Sequence, residues 1–329
     1  MKLCVIGNRG HIGYVFQSIH EVPNLELPAL STGSDDAPDR LLQLSHNAHF
    51  QPVVFPDWQE MLRQIQPDIV AIDGPWHLHA TMAAFALRLG IHVFCEKPIA
   101  LTLEDLEAVR QAQASTGAHI LSMVGLRYQA DFQHALSLVR GGAVGKVKMI
   151  RAQKSYKLGK RPDFCRERNT YGGTIPWVGS HALDWILAFS GSPFQTIFAT
   201  HTAEDNHGYG SLEIACQVLA TMQNGVQALA SIDYLRPDAA SSHGDDRIRV
   251  AGTTGILEVV GGKVTLLDNQ GLRELPVPPA PRHLFSDFAR SIASNSPLWV
   301  PETETFELTR ACLLARDSAD SGKVLVVSG

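Results

Sequence analysis

Few cysteines occur in the sequence, and none is arranged to bind a metal or to form a disulfide framework. The five cysteines are scattered over 329 residues without a Cys-x-x-Cys pair, so we expect a reducing compartment. No apolar run approaches the roughly 20 residues that span a bilayer, and the first residues do not resemble a signal peptide. We therefore predict a soluble, cytoplasmic protein without a membrane partner.

An excess of positive charge is also absent. The formal net charge is −5, which argues against a nucleic acid or an anionic membrane as the main partner. With 45% hydrophobic and 19% charged residues, the composition is that of a globular protein and argues against disorder. The length is sufficient for two domains, each with its own core.

The first 124 residues alternate short apolar runs with segments of helical period. The runs lie at residues 2–7, 25–30, 52–55, 68–73, 91–96 and 118–124. Buried strands that alternate with helices are typical of a doubly wound parallel sheet. Thr102, with Asp105 three residues later, predicts the start of one of these helices. We predict that residues 1–122 form one α/β domain.

The second part of the sequence changes to a period of two. Between residues 211 and 221, one side of the predicted strand carries Leu212, Ile214, Cys216 and Val218, and the other carries Glu213 and Gln217. Asn224-Gly225 predicts a tight turn before the next strand. We predict an α+β domain over residues 123–329 with a large, open, mainly antiparallel sheet. Closing helices are expected over 283–320, packed toward the first domain.

Three glycines stand between the first strand and the first helix. Glycines at such a turn let a pyrophosphate approach the N–H groups of the helix N-terminus. The spacing is one residue longer than the usual fingerprint, but the strand and helix around it support dinucleotide binding. The predicted cofactor contacts in this loop are Gly7, Asn8, Arg9, Gly10, His11, Ile12 and Gly13.

The end of the second strand bears on the choice between NAD and NADP. An acid usually binds the ribose 2′-hydroxyl there, but Ser31 and Thr32 occupy this position. Hydroxyls with a nearby cation, Arg9 or Arg40, suit the 2′-phosphate of NADP. An aspartate reaching back from residues 35–36 would favour NAD. The balance leans slightly toward NADP.

Two further strands end in polar residues. Parallel strands end at the ligand crevice, and "IHVFCEKPIA" (91–100) and "IDGPWHLHA" (72–80) leave such strands. The predicted cofactor contacts at these ends are Gly74, Pro75, Trp76, His79, Glu96 and Lys97.

These motifs resemble the glucose–fructose oxidoreductase, inositol dehydrogenase and rhizopine-catabolism (Gfo/Idh/MocA) family over nearly the whole chain. The similar features continue through "GLRY" (125–128), "GG" (172–173) and the closing "LFSDFARSIASNSP". The resemblance implies a Rossmann domain followed by an open-sheet domain that often pairs sheet to sheet in dimers or tetramers. It also implies nicotinamide-dependent oxidation or reduction at a hydroxyl carbon, commonly of a sugar or polyol.

The resemblance also implies roles for single residues. It assigns Lys97 to the substrate oxygen and cofactor, and His181 to the substrate proton. Histidine titrates near neutrality, and an ammonium group steadies a developing alkoxide. A helix predicted from Pro176 to Ser190 places Asp184 on the same stripe as His181. Asp184 then either orients the imidazole or forms a structural pair.

One position departs from the family pattern. Relatives that oxidise polyols often carry an aspartate where this sequence has Trp177. The change is consistent with an indole stacked on an apolar sugar face, or with lost catalysis.

A cation-rich segment leads into the same helix and favours an anionic substrate such as a sugar acid or phosphate. It contains Lys154, Lys157, Lys160, Arg161, Arg166 and Arg168. Charge runs are more often simply solvated. Tyr156 and Arg127 are candidate substrate contacts.

The leading prediction is an NAD(P)-dependent oxidoreductase acting on a carbohydrate-like small molecule, assembled as a homodimer or homotetramer. The alternatives are a redox-assisted glycosidase and a nucleotide-binding sensor that has lost turnover. The histidines and acids at 201–208 lack metal-ligand spacing, so no metal is expected.

Overall fold

The computed structural model describes residues 1–327. The chain forms two compact units. The first comprises Met1–Gly125 and Arg282–Phe306, and the second comprises Leu126–Pro281 and the chain from Glu307 onward. The division of function between residues 1–122 and 123–329 stays a prediction. None of the helices in residues 1–327 is long and apolar enough to cross a membrane.

The first unit contains the predicted doubly wound sheet. Its strands are β1 (Lys2–Ile6), β2 (Glu26–Ser31), β3 (Val53–Val54), β4 (Ile69–Ile72), β5 (His92–Cys95) and β6 (Ile120–Ser122). Its helices include α1 (Gly13–Ser18), α2 (Asp39–Asn47), α3 (Trp58–Ile65), α4 (His79–Arg88) and α5 (Leu103–Thr116). The strands are parallel, in the order β3-β2-β1-β4-β5-β6. The order reverses between β1 and β4, which is where such sheets bind ligands.

Local sequence signals set the ends of these helices. The side chain of Asp57 accepts the N–H groups of Gln59 and Glu60 and begins α3. Thr102 begins α5 as predicted, because its hydroxyl accepts the Asp105 N–H at 3.0 Å. Gly117, with a φ of +71°, ends α5.

The second unit contains a nine-stranded sheet. Its strands are β7 (Val147–Tyr156), β8 (Phe194–Thr202), β9 (Ala215–Met222), β10 (Gln227–Asp233), β11 (Gly244–Gly252), β12 (Ile256–Val260), β13 (Lys263–Asp268), β14 (Gly271–Leu275) and β15 (Leu325–Val326). The order is β14-β13-β12-β11-β7-β10-β9-β8-β15, antiparallel except for the β7–β10 pair. The hairpin predicted at Asn224-Gly225 joins β9 and β10.

The remaining helices are α6 (Ala130–Arg140), α7 (Arg168–Tyr171), α8 (Ser180–Ser190), α9 (Leu284–Ser294) and α10 (Glu302–Ser321). Helix α8 is buried along its whole length in the second unit. It packs against β7 and β10, so one face of the nine-stranded sheet belongs to the core. All five cysteines are free and buried.

Candidate active site

Two of the three glycines shape the loop between β1 and α1. Gly7 has a φ of +81°, and a Cβ there would collide with the Asp73 carbonyl oxygen. A Cβ at Gly10 would lie 2.8 Å from the Asp73 carboxylate and 2.9 Å from the Glu96 side chain. A Cβ at Gly13 would meet no atom within 4 Å, so the start of α1 is open. The loop therefore fits a dinucleotide pyrophosphate.

A buried carboxylate that was not among the predicted site residues, Asp73, lies beneath this loop, and its position directly after a buried strand is its signal in the sequence. Asp73 Oδ2 accepts the Ile12 N–H at 2.9 Å, and its carbonyl accepts the Arg9 N–H at 2.9 Å. Burial raises the pKa of Asp73 well above its usual range, and the charge of Glu96 raises it further. The Ile12 N–H is thus bonded within the chain and its side chain is buried, and its cofactor contact stays a prediction.

The pKa of Glu96, directly after β5, is shifted in the opposite direction. Its Oε1 lies 2.9 Å from His11 Nδ1 and 3.9 Å from Lys97 Nζ. Burial acts to raise the pKa of Glu96, but the charge and hydrogen bond of His11, together with the charge of Lys97, lower it. Of these two coupled carboxyls, the surroundings therefore favour the neutral form of Asp73 and the charged form of Glu96. Glu96 brings together two predicted cofactor contacts, His11 and Lys97.

His79 connects the polypeptide segments that follow β4 and β5. Its Nδ1 lies 2.9 Å from the Pro98 carbonyl oxygen and its Nε2 lies 3.1 Å from that of Gly74. Burial lowers the pKa of His79. Both ring nitrogens thus lie within hydrogen-bonding distance of backbone carbonyl oxygens, and a cofactor contact by His79 stays a prediction. Pro75 and Trp76 lead into α4 through a 3-10 turn, and Trp76 is buried.

The groups expected to bind a 2′-phosphate are engaged with other groups of the chain. Ser31 is fully buried and accepts a backbone N–H two residues on, and Thr32 donates to a carbonyl two residues on. Arg9 forms two hydrogen bonds with Asp36, at 2.6 and 3.0 Å, and the hydrogen bond from Arg9 lowers the pKa of that acid. Arg40 donates to a carbonyl of the glycine loop at 3.2 Å.

The helix predicted in the second unit has an irregular start. Its first turn, Ile175–Gly179, is π-helical, and α8 continues to Gly191, which has a φ of +61°. The predicted C-terminus is confirmed. The predicted regular start is wrong, because a π turn is wider than an α turn and rotates the residues before it about the helix axis. Trp177 is half-buried, whereas His181 is 1% exposed.

Arg127 and Asp184 form a buried ion pair. Arg127 Nη2 donates to Asp184 Oδ1 at 2.5 Å and Nε donates to Oδ2 at 3.0 Å, with both side chains almost fully buried. The pair holds α8, which carries His181, against the segment before α6. The geometry favours the structural reading of Asp184. Substrate contact by Arg127 stays a prediction, and its guanidinium is already engaged.

Four aromatic rings lie near the start of α8: those of Tyr156, Tyr171, Trp177 and Tyr234. Trp177 lies 5.6 Å from Tyr171, and Tyr234 lies 6.5 Å from both Trp177 and Tyr156, between ring centroids. The Arg161 guanidinium lies 4.5 Å from the Tyr234 ring and 5.5 Å from the Trp177 ring. Burial raises the pKa of Tyr171 and of Tyr234, so these rings stay neutral.

Glu213 anchors the loop before this helix. The sequence alternation wrongly assigned it to the polar side of a strand, since β9 begins only at Ala215 and Glu213 is 2% exposed. Its carboxylate accepts the Thr174 N–H at 2.9 Å and pairs with Arg168, and its carbonyl accepts the Thr174 hydroxyl at 2.7 Å. Because Thr174 directly precedes the π turn, these bonds determine where the helix begins.

A parallel sheet with this strand order and a glycine loop after β1 defines a dinucleotide-binding fold. Within residues 1–327, no group of three His, Cys, Asp or Glu side chains is arranged to hold a metal ion. Residues 1–124 match the model "Oxidoreductase family, NAD-binding Rossmann fold", and residues 132–258 match the "GFO/IDH/MocA C-terminal domain". The chain belongs to the Gfo/Idh/MocA family of oxidoreductases.

Solved structures and characterised relatives agree with this assignment. A candidate oxidoreductase from Thermotoga maritima is 39% identical, with a TM-score of 0.95 over 99% of this chain and 100% of that one. Myo-inositol 2-dehydrogenase of the same organism is 26% identical over 83% of this chain and 80% of its own length. An Agrobacterium radiobacter oxidoreductase in complex with NAD+, L-tartaric acid and magnesium is 17% identical, with a TM-score of 0.85 over 99% and 98%, and shows the fold alone.

Proposed function

We propose that the protein is a nicotinamide-dependent dehydrogenase or reductase of CH–OH groups, acting on a sugar, polyol or sugar acid. The observation that carries this proposal is the fixing of His181. The residue lies in a fully buried helix whose position is held by the Arg127–Asp184 pair. An imidazole held in this way is prepared to exchange a proton with a substrate hydroxyl.

The proposed chemistry divides between two side chains. His181 takes the hydroxyl proton during oxidation and returns it during reduction, while the Lys97 ammonium steadies the alkoxide. The Glu96 carboxylate, at 3.9 Å, keeps the Lys97 ammonium in place. The nicotinamide, when bound, accepts or supplies the hydride.

We propose NAD as the preferred cofactor, instead of the NADP that the sequence slightly favoured. The bonds between Arg9 and Asp36 neutralise one of the two cations expected to bind a 2′-phosphate. A 2′-phosphate there would approach the Asp36 carboxylate, and like charges in proximity repel. The family model's NAD-binding description supports the same choice.

The oligomer is proposed to form through the outer face of the nine-stranded sheet. Met149, Leu219 and Leu267 lie on that face with 42%, 53% and 43% of their surface exposed. The molar mass measured by light scattering should be that of a dimer or a tetramer, and Leu219→Lys should weaken this association. A monomeric wild type would contradict this part. We also propose a cytoplasmic location, with which five free, buried cysteines agree.

The test of function is turnover by His181→Ala. The full chain is supplied with NAD+ or NADP+ and a panel of polyols, sugars and sugar acids, and A340 is followed. General acid–base catalysis contributes about 10²–10⁴-fold, so kcat should fall by that factor. His134→Ala, on α6, is the matched control and should turn over like the wild type.

Three outcomes would contradict the proposal. His181→Ala with a kcat near wild type would remove histidine from the chemistry. Release of a glycosidic leaving group without net change in A340 would instead indicate the redox-assisted glycosidase. Cofactor binding without turnover of any substrate would indicate the sensor.

A further inference from the structure

The structure divides the six cations of segment 154–168 into two sets. Three are neutralised by acids: Lys154 by Asp246 at 2.5 Å, Arg166 by Asp163 at 3.0 Å, and Arg168 by Glu213 and Asp320. The other three, Lys157, Lys160 and Arg161, form no ion pair with any acid within residues 1–327. The unpaired positive charge of the segment is thus concentrated at residues 157–161.

Arg161 is the member of this second set that the fold holds in place. Its guanidinium lies against the rings of Tyr234 and Trp177, and Nη2 donates to the Lys157 carbonyl at 2.7 Å. Its Nε is buried and has no hydrogen-bond partner within residues 1–327. A buried donor without an acceptor is costly, so this position is prepared for an acceptor that the described residues do not supply.

The neighbouring groups strengthen the positive potential. The Lys157 ammonium is held by two backbone carbonyls, at 2.8 and 2.6 Å, which leave its charge uncompensated. The His243 ring lies 4.8 Å from the Tyr156 ring. Partial burial lowers the pKa of His243, and the positive charges of Arg161, Lys154 and Lys157 lower it further, as expected where the potential is positive.

We propose that Arg161 binds an anionic oxygen group of the substrate, a carboxylate or a phosphate, while the half-buried ring of Trp177 receives its carbon skeleton. A guanidinium fork matches the oxygens of either group in a bidentate arrangement. Aromatic faces stack on the apolar side of a sugar ring. The inference rests on the proposed function and restricts its substrate class to acidic sugars or sugar phosphates.

This subsite also gives Trp177 a part in substrate binding. An acid at this position, beside Arg161, would neutralise the guanidinium. Trp177 instead supports the cation through its ring at 5.5 Å and leaves its charge available to a ligand.

The test compares binding of matched probes to the full chain in the presence of NAD+. D-gluconate, D-glucose 6-phosphate and D-glucose are titrated by calorimetry. At least one anion should bind tenfold or more tightly than glucose, and which one does identifies the group. Raising the ionic strength should weaken only the anion.

Arg161→Gln should remove this preference, with a tenfold or greater loss for the anion and less than a twofold change for glucose. Arg166→Gln is the matched control, because that arginine belongs to the same run and is paired with Asp163. Arg161→Lys keeps the charge without the fork, should keep part of the preference, and covers the case in which Arg161→Gln does not fold.

Two results would overturn the inference: equal or no binding of both anions relative to glucose in the wild type, or an unchanged preference in Arg161→Gln. His181→Ala separates this proposal from the proposed function. That variant should lose turnover and keep anion binding. Retained turnover would contradict the proposed function alone, whereas an absent anion preference in the wild type would contradict the anion subsite alone.

Discussion

Breaking the buried pair between Arg127 and Asp184 should destabilise the second unit strongly. Removal of one partner leaves the other charge buried at a site only a few per cent exposed. Such changes cost about 3–5 kcal/mol. Asp184→Asn and Arg127→Met should each lower the free energy of unfolding by this amount, as measured by urea denaturation followed by circular dichroism.

An exposed pair provides the matched control. Lys263 and Glu274 lie 2.9 Å apart, but their side chains are 65% and 56% exposed. Lys263→Met should therefore cost less than about 1 kcal/mol, because solvent screens the pair and rotamer entropy opposes it. The contrast between the two pairs isolates burial as the cause.

The double variant Arg127→Met/Asp184→Leu completes the cycle. Since a buried pair replaced by apolar groups is often neutral or stabilising, the double variant should recover most of the loss. The reasoning is refuted if Asp184→Asn lies within about 1 kcal/mol of wild type, or if the double variant loses the sum of both single changes.

A kinetic measurement separates the two readings of Asp184. If the acid only holds α8 in place, Asp184→Asn and Arg127→Met should reduce kcat alike. If Asp184 orients the imidazole of His181, Asp184→Asn should also shift the pH profile of kcat, and Arg127→Met should leave its midpoint in place.

Three further predictions concern the cofactor unit. The pKa of Asp73 is raised in the folded protein, so its contribution to stability falls as pH rises above the unfolded value of about 3.9. The free energy of unfolding of Asp73→Asn, measured by urea titration, should therefore rise relative to that of wild type as the pH increases from 4 to 8. A difference that does not change with pH would contradict the assignment. Gly10→Ala should weaken NADH binding at least tenfold (about 1.4 kcal/mol) in a fluorescence titration, with Gly13→Ala near wild type; equal effects would contradict the packing argument. Asp36→Ala should raise NADPH affinity relative to NADH by releasing Arg9, and an unchanged ratio would show that this pair does not select the cofactor.

Some properties of the site are local and could be predicted from the sequence. The glycine loop, the start of α5 at Thr102 and the end of α8 at Gly191 each depend on residues within one or two turns of one another. Their backbone requirements are therefore visible in a short sequence window. The order of strands and helices in residues 1–124 follows from apolar periodicity in the same way.

Other properties depend on residues that are distant in the sequence. Alternation placed Glu213 on the polar face of a strand. In the structure β9 begins only at Ala215, and the sequence carries no local signal for that late start. In the sequence, the hydroxyls of Ser31 and Thr32 favour NADP. Only the folded structure shows that Arg9, the cation expected to assist them, is bonded to Asp36.

The sequence by itself determined the family, the doubly wound sheet, the hairpin between β9 and β10 and the presence of six cations before α8. Only the tertiary structure decided which of those cations keep their charge available. Ion pairing depends on the acids that folding brings within a few ångströms, and those acids lie on other strands and helices. Asp246 on β11 neutralises Lys154, whereas no acid within residues 1–327 forms an ion pair with Arg161.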